Sequence, residues 1–176
     1  MKKLLFLILI ICGGVLTSHA QKFGYIDSEY ILRHMPEYAE AQRQLDGLSE
    51  QWQQDIERRQ AEIEQMYKAY QSEQVLLTPE MRQKREEEIV EKEQSLRDYQ
   101  RGKFGFEGEL FRKRKELVKP IQDKIYKAVE EVAKEGLYAV IFDRTSELIM
   151  LYADERFDKS DDVLESLGLN PGEFVE

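Results

Sequence analysis

The sequence predicts an α+β fold that is predominantly α: a long antiparallel coiled-coil hairpin arm on a small three-strand β body. Three observations carry this expectation. Apolar residues recur at heptad-like spacing through two long charged stretches, a Thr-Pro break separates the stretches, and short runs of aromatic and β-branched residues flank the pair.

The first element is not part of the folded product. Lys2 and Lys3 precede a nearly unbroken apolar run from Leu4 to Leu16, and Ser18 and Ala20 place small residues at the −3 and −1 positions of a cleavage site. We therefore expect residues 1–20 to be a secretory signal peptide, cleaved after Ala20. The apolar run is about 13 residues, short of the roughly 20 that span a bilayer as a helix. No later segment is apolar enough, so no transmembrane insertion of the mature chain is expected. Cleavage also removes Cys12, the only cysteine. A mature chain without thiols suits an oxidising compartment.

The mature chain opens on a strand signal, Phe23-Gly24-Tyr25-Ile26-Asp27, with Ser28 as N-cap of a brief helix through Leu32. From Glu37 the composition turns to Glu, Gln, Arg, Lys and Ala. Its apolar residues fall at Ala41, Leu45, Leu48, Trp52, Ile56, Ile63, Met66 and Tyr70, a narrow stripe that has to be buried against another helix. Val75-Leu76-Leu77-Thr78-Pro79 ends this helix. Thr78 is a good N-cap, Pro79 suits the first helical position, and Glu80 favours the positive end of the new dipole. A second helix should start at Pro79 and carry the stripe Ile89, Leu96, Tyr99, Phe106, Leu110, Leu117, Ile121, Ile125, Ala128 and Val132, ending where Gly136 takes the left-handed conformation.

At about 1.5 Å per residue, the arm from Glu37 to Leu76 reaches roughly 60 Å. The returning helix is longer, so it continues into a body, with a kink expected at Pro120. The expected boundaries are an arm over 37–119 and a body formed by 21–36 and 120–176. Two further strands, Tyr138–Phe142 and Leu148–Tyr152, read as a hairpin, and Asp161–Leu167 as a last short helix. Three short strands make a poor sheet alone, which argues for a body assembled from several chains.

Charge narrows the function. Losing Lys2 and Lys3 takes the net charge from −9 to −11. Residues 37–115 hold 15 basic and 18 acidic side chains, whereas 154–176 hold two basic and eight acidic ones, so the acidity is concentrated at the C-terminal end. No nucleic-acid partner is expected, because phosphate binding needs a basic excess. Catalysis is excluded by the inventory: only His34 remains after cleavage, and there is no phosphate loop, nucleophile elbow or metal-spaced acidic loop. No cofactor and no metal are expected.

Two sets of residues stand out on the arm. Gly102, Gly105 and Gly108 recur every third residue inside a helix, each costing about 1 kcal/mol relative to Ala. With a pivot near Leu77–Thr78, residues i and about 155 − i lie level. Gly108 then lies opposite Gly47, and Trp52 opposite Lys103, between Gly102 and Phe104. This level is the expected hinge of the arm; the competing reading is that the glycines make room for Trp52, Phe104 and Phe106. Around the tip, Met66, Tyr67, Tyr70, Val75, Leu76, Leu77 and Met81 offer adaptable apolar contact.

The segments F-G-Y-I-D-S-E-Y-I-L at 23–32, K-P-I-Q-D-K-I at 119–125, A-V-E-E-V-A-K-E-G at 128–136, Y-A-V-I-F-D at 138–143, L-Y-A-D at 151–154 and D-K-S-D-D-V-L at 158–164 occur in order around the charged arms. In this order and spacing the chain resembles the Skp (OmpH) family of periplasmic chaperones over essentially its whole mature length. The resemblance implies a periplasmic homotrimer in which strands of three subunits form a central barrel carrying three helical arms around a cavity. It also implies an ATP-independent holdase for unfolded outer-membrane β-barrel proteins. The apolar residues read on the arm, Met66, Tyr67, Tyr70, Leu76, Leu77, Met81, Phe104 and Phe106, are then the candidate client contacts. Two departures stand out: the family's best-known member is basic, and Lys159-Ser160 replaces the family's Leu-Thr inside the final D-x-x-D. The competing function is a structural coiled-coil tether or adaptor of the cell envelope, which uses the same arms to touch one specific partner.

Overall fold

The computed structural model describes residues 21–146 and 150–172. The expected signal peptide and Cys12 therefore lie outside the described residues, as do Leu148 and Ile149 of the expected third strand. The described chain divides into two compact units, one holding Leu32–Lys124 and the other the residues up to Ile31 with Ile125–Pro171.

The first unit is helical. Helix α2 (Pro36–Glu73) follows the brief α1 (Ser28–Arg33), and α3 (Pro79–Phe104) returns beside it. Pro36 opens α2 because a first helical position needs no N–H donor. At 38 residues, α2 is about 57 Å long. Thr78 caps α3 as expected, its hydroxyl accepting from the Met81 N–H at 3.3 Å. The stripe is the buried face: Ala41, Leu45, Trp52, Ile56 and Ile63 of α2 are buried, as is Ile89 of α3.

The second long helix is not continuous, contrary to the sequence reading. It stops at Phe104, crosses residues 105–108, and resumes as α4 (Glu109–Glu135). Glu107 adopts φ 55°, which no α-helix accommodates. Phe106, expected in the stripe, is 98% exposed as a result. Helix α4 runs uninterrupted through Pro120. The chain thus departs from helix at the glycines, where close backbone approach requires them. A Cβ on Gly105 would lie 2.4 Å from the Arg101 carbonyl oxygen, and one on Gly108 would lie 2.8 Å from that of Gly105.

The second unit contains the sheet. Strand β1 (Lys22–Ile26) pairs in parallel with β2 (Tyr138–Asp143), in the register Phe23 to Val140 and Ile26 to Asp143. This corrects the expected hairpin: β2 takes β1 as its partner, and Met150, Leu151 and Tyr152 are not in a strand. Parallel pairing is possible because everything from Asp27 to Leu137 intervenes; a tight turn could not join parallel neighbours.

Short polar contacts fix the second unit. Asp27, not Ser28, caps α1: its carboxylate accepts from the Tyr30 N–H at 2.8 Å. Ser28 instead donates its hydroxyl to Asp143 at 2.6 Å, joining the end of β1 to the end of β2. Helix α5 (Ser160–Ser166) is tied in by the Asp27 N–H donating to Ser160 Oγ at 2.9 Å and by Tyr30 donating to Asp161 at 3.0 Å. Asp158 accepts from both the N–H and the hydroxyl of Ser160 at the entry to α5, while Lys159 at the cap position makes no capping bond. At the end of α4 the left-handed residue is Leu137, at φ 53°, and not Gly136. Gly136 is needed for space, since a Cβ there would sit 2.3 Å from the Tyr138 ring.

Candidate functional site

The arm presents its chemistry at two levels. At the tip, the turn over residues 74–77 leaves too few positions to pair every apolar side chain. Val75 and Leu76 are 79% and 84% exposed, and Met81 also faces solvent. Leu77, Met66 and Tyr70 are half-buried. The tyrosines are anchored at one end. Tyr67 donates its hydroxyl to Glu93 at 2.9 Å, and Tyr70 donates to Glu86, so both reach from α2 to α3. Those carboxylate partners are the main cause that pushes both phenols above their ordinary pKa. Each ring is thus held at the surface while its polar end is satisfied.

The second level lies at the break after α3. Trp52 of α2 is buried, and the Phe104 ring meets it edge-on at 5.9 Å between centroids. The Lys103 ammonium sits 4.6 Å from the Trp52 ring centroid and forms an ion pair with Glu109 at the start of α4. The register in which Trp52 faces Lys103 and Phe104 is therefore the one the pivot near Leu77–Thr78 implies. That bond from Lys103 is the chief reason the Glu109 carboxyl titrates below its ordinary range. Beside it, Tyr99 donates to Asp55 at 3.0 Å, and the Arg59 guanidinium covers its ring at 4.3 Å. Burial, then the bond to Asp55, raises the Tyr99 pKa. Gly102 lies within α3 and Gly47 within α2; both are exposed, with open space where a Cβ would stand.

The sequence reading overlooked apolar surface elsewhere. In the unit that holds the sheet, a cavity of about 730 Å³ is lined by Phe23, Tyr25, Phe142, Met150, Tyr152 and Phe157. Leu151 beside it is 94% exposed. The signal available was the placement of aromatics at alternate positions 23 and 25 of β1, with Phe142 on β2, which marks one strand face. Among the described residues, no group of three or more His, Cys, Asp or Glu is placed to hold a metal ion. None of the described helices is long and apolar enough to cross a membrane. The chemistry on offer is contact: apolar side chains displayed on a charged scaffold.

Comparison with known proteins agrees along the chain. The profile of a family described as outer membrane protein (OmpH-like) matches residues 22–167. A protein of Aquifex aeolicus (strain VF5), itself uncharacterized, is 32% identical over 167 residues, covering 95% of this chain and 96% of the relative. The crystal structure of a protein from Caulobacter crescentus CB15, described as an OmpH-like outer membrane chaperone, superposes with a TM-score of 0.68 over 88% of each chain. At 13% identity, that likeness speaks for the fold alone.

Proposed function

The chain belongs to the OmpH-like outer membrane protein family, and on that premise we propose that it is an ATP-independent holdase for unfolded outer-membrane β-barrel proteins. It acts in the periplasm after removal of residues 1–20. The observation that carries this reading is the set of large apolar side chains displayed on a nearly charge-balanced arm, Leu76 at 84% exposure and Phe106 at 98% above all. Single exposed apolar residues are ordinary on a protein surface. Exposed apolar residues at the far end of a helical hairpin, away from any core, are what transient grip on an unfolded chain needs. Met66, Tyr67, Tyr70, Leu76, Leu77, Met81, Phe104 and Phe106 make the client contacts. The arm spans residues 37–119, and on client capture it splays about the level of Gly47, Gly102, Gly105 and Gly108.

The body, residues 21–36 and 120–176, trimerises. A two-stranded sheet is marginal alone, and the aromatic cavity beside β1 is the kind of exposed apolar patch that marks an interaction surface. Pairing between strands of different subunits closes the barrel. Clients are then held among three arms, without nucleotide or metal.

The test is direct. A β-barrel protein unfolded in urea is diluted into buffer with and without the mature chain, and light scattering is followed while native mass is measured. Suppressed scattering at one trimer per client is expected. Unchanged scattering removes the holdase reading, and stable binding of a single folded envelope protein instead favours a tether.

A further inference from the structure

The ordinary role of an exposed arm lysine is solvation, and Lys103 does not fit it. Its side chain is 21% exposed, whereas Lys68, Lys113 and Lys119, which also form ion pairs on the arm, are 42–71% exposed. Its ammonium lies 4.6 Å from the Trp52 centroid and 5.5 Å from that of Tyr99, both within cation–π range. The same ammonium pairs with Glu109. Trp52 is on α2, Tyr99 on α3 and Glu109 on α4, so one cation touches all three helices at the point where the returning helix is interrupted.

The backbone there bonds only to itself. The Gly105 N–H donates to the Arg101 carbonyl at 2.9 Å, and the Gly108 N–H to the Gly105 carbonyl at 2.8 Å. The Arg112 N–H then donates to the Gly108 carbonyl at 3.1 Å, starting the new helix. These bonds shape the loop but do not cross from one helix to another. Side chains do so: Lys103 joins α3 to α4 through Glu109, while Lys103, Phe104 and Tyr99 reach α2 through Trp52, Asp55 and Arg59.

We propose that Lys103 is the clasp of this elbow: its ammonium, received by Trp52, Tyr99 and Glu109, fixes the angle between α3 and α4, and its withdrawal turns a rigid elbow into a joint. Phe106 stands on the loop so fixed, so the clasp also holds that ring out into solvent. Lys103 acts as a positioning residue, through the rings and the carboxylate it joins.

Trp52 is the only tryptophan in the chain, so its fluorescence reads the clasp without a label. In the full mature protein, without client, K103M keeps the apolar stem and removes the charge, K103R keeps the charge, and E109Q removes only the anion. The expected result is greater acrylamide quenching of Trp52 in K103M. Amide exchange across residues 101–112 should be about five- to tenfold faster, the weight of one cation–π contact with one ion pair. K103R should recover most of both, E109Q should show a smaller change of the same sign, and exchange in residues 55–70 should stay as in the parent. Unchanged quenching and exchange in K103M overturn the proposal, as does faster exchange spread evenly along both helices, which marks lost packing alone. If circular dichroism shows K103M unfolded, E109Q decides: exchange at 101–112 equal to the parent's overturns the proposal. None of these readouts involves a client, so they stand or fall apart from the holdase activity.

Discussion

Single residues in this chain divide by whether space or conformation fixes them. Gly47 and Gly102 sit in helices with open space where a Cβ would stand. Gly47→Ala and Gly102→Ala are therefore each expected to raise stability by about 0.5–1 kcal/mol. Gly105→Ala and Gly136→Ala are expected to lower it by roughly 1–3 kcal/mol, since their Cβ atoms collide with the Arg101 carbonyl and the Tyr138 ring. Chemical denaturation of the four variants measures both signs. The glycine spacing was readable in the sequence, but which glycines the backbone requires was not, because that depends on carbonyls brought close only by the fold. The cap of α1 shows the same limit: Asp27 and Ser28 are both good caps, and Ser28 is taken up by Asp143. Asp143 in turn carries a pH dependence. Burial opposes its charge, but hydrogen bonds from the hydroxyls and N–H groups of Ser28 and Thr145 outweigh that and hold its pKa below the ordinary value. A carboxyl with a lowered folded-state pKa contributes its full stability above its unfolded value, about pH 4, and loses it as pH falls through the folded value. Acid titration of unfolding should thus show a component below about pH 4 that is absent in Asp143→Asn.

At the scale of elements, the helices were the most readable part because their signal repeats. Eight stripe positions on α2 agree on one face, and Thr78-Pro79-Glu80 marks the start of α3 three times over. The interruption before α4 was only half readable. Helices tolerate isolated glycine, so three glycines in seven residues signal weakness without locating an end. The partner of β2 was not readable at all. Its continuous apolar run from Tyr138 to Phe142 names no neighbour, and the partner it takes, β1, lies more than a hundred residues away. The tip turn offers the cleanest separation of function from stability. Val75 and Leu76 are so exposed that the double variant Val75→Ser, Leu76→Ser should change stability by less than about 0.5 kcal/mol. The same variant is expected to weaken suppression of client aggregation several-fold, measured by light scattering against the parent. Equal suppression would place client contact elsewhere on the arm.

For the whole molecule, the proposed trimer rests on the body. Phe142 lines the aromatic cavity and is exposed in the single chain. Phe142→Asp is therefore expected to shift native mass from trimer to monomer while helix content by circular dichroism is kept. A trimer that persists would move the subunit contact away from this cavity. The pairing of β1 with β2 has a further consequence, one of time. The two strands enclose the entire arm between them, so the sheet is a closure across more than a hundred residues of chain. A contact of such sequence separation is slow to form from a disordered connection. A zipped helical hairpin shortens that connection, because α2 and α3 bring the two ends of the arm back toward one another. The arm should therefore form first and the sheet last. A chain emerging from its N-terminus carries β1 as a bare aromatic edge until residue 143 has followed it, and throughout that interval it has the stickiness of the clients it is proposed to hold.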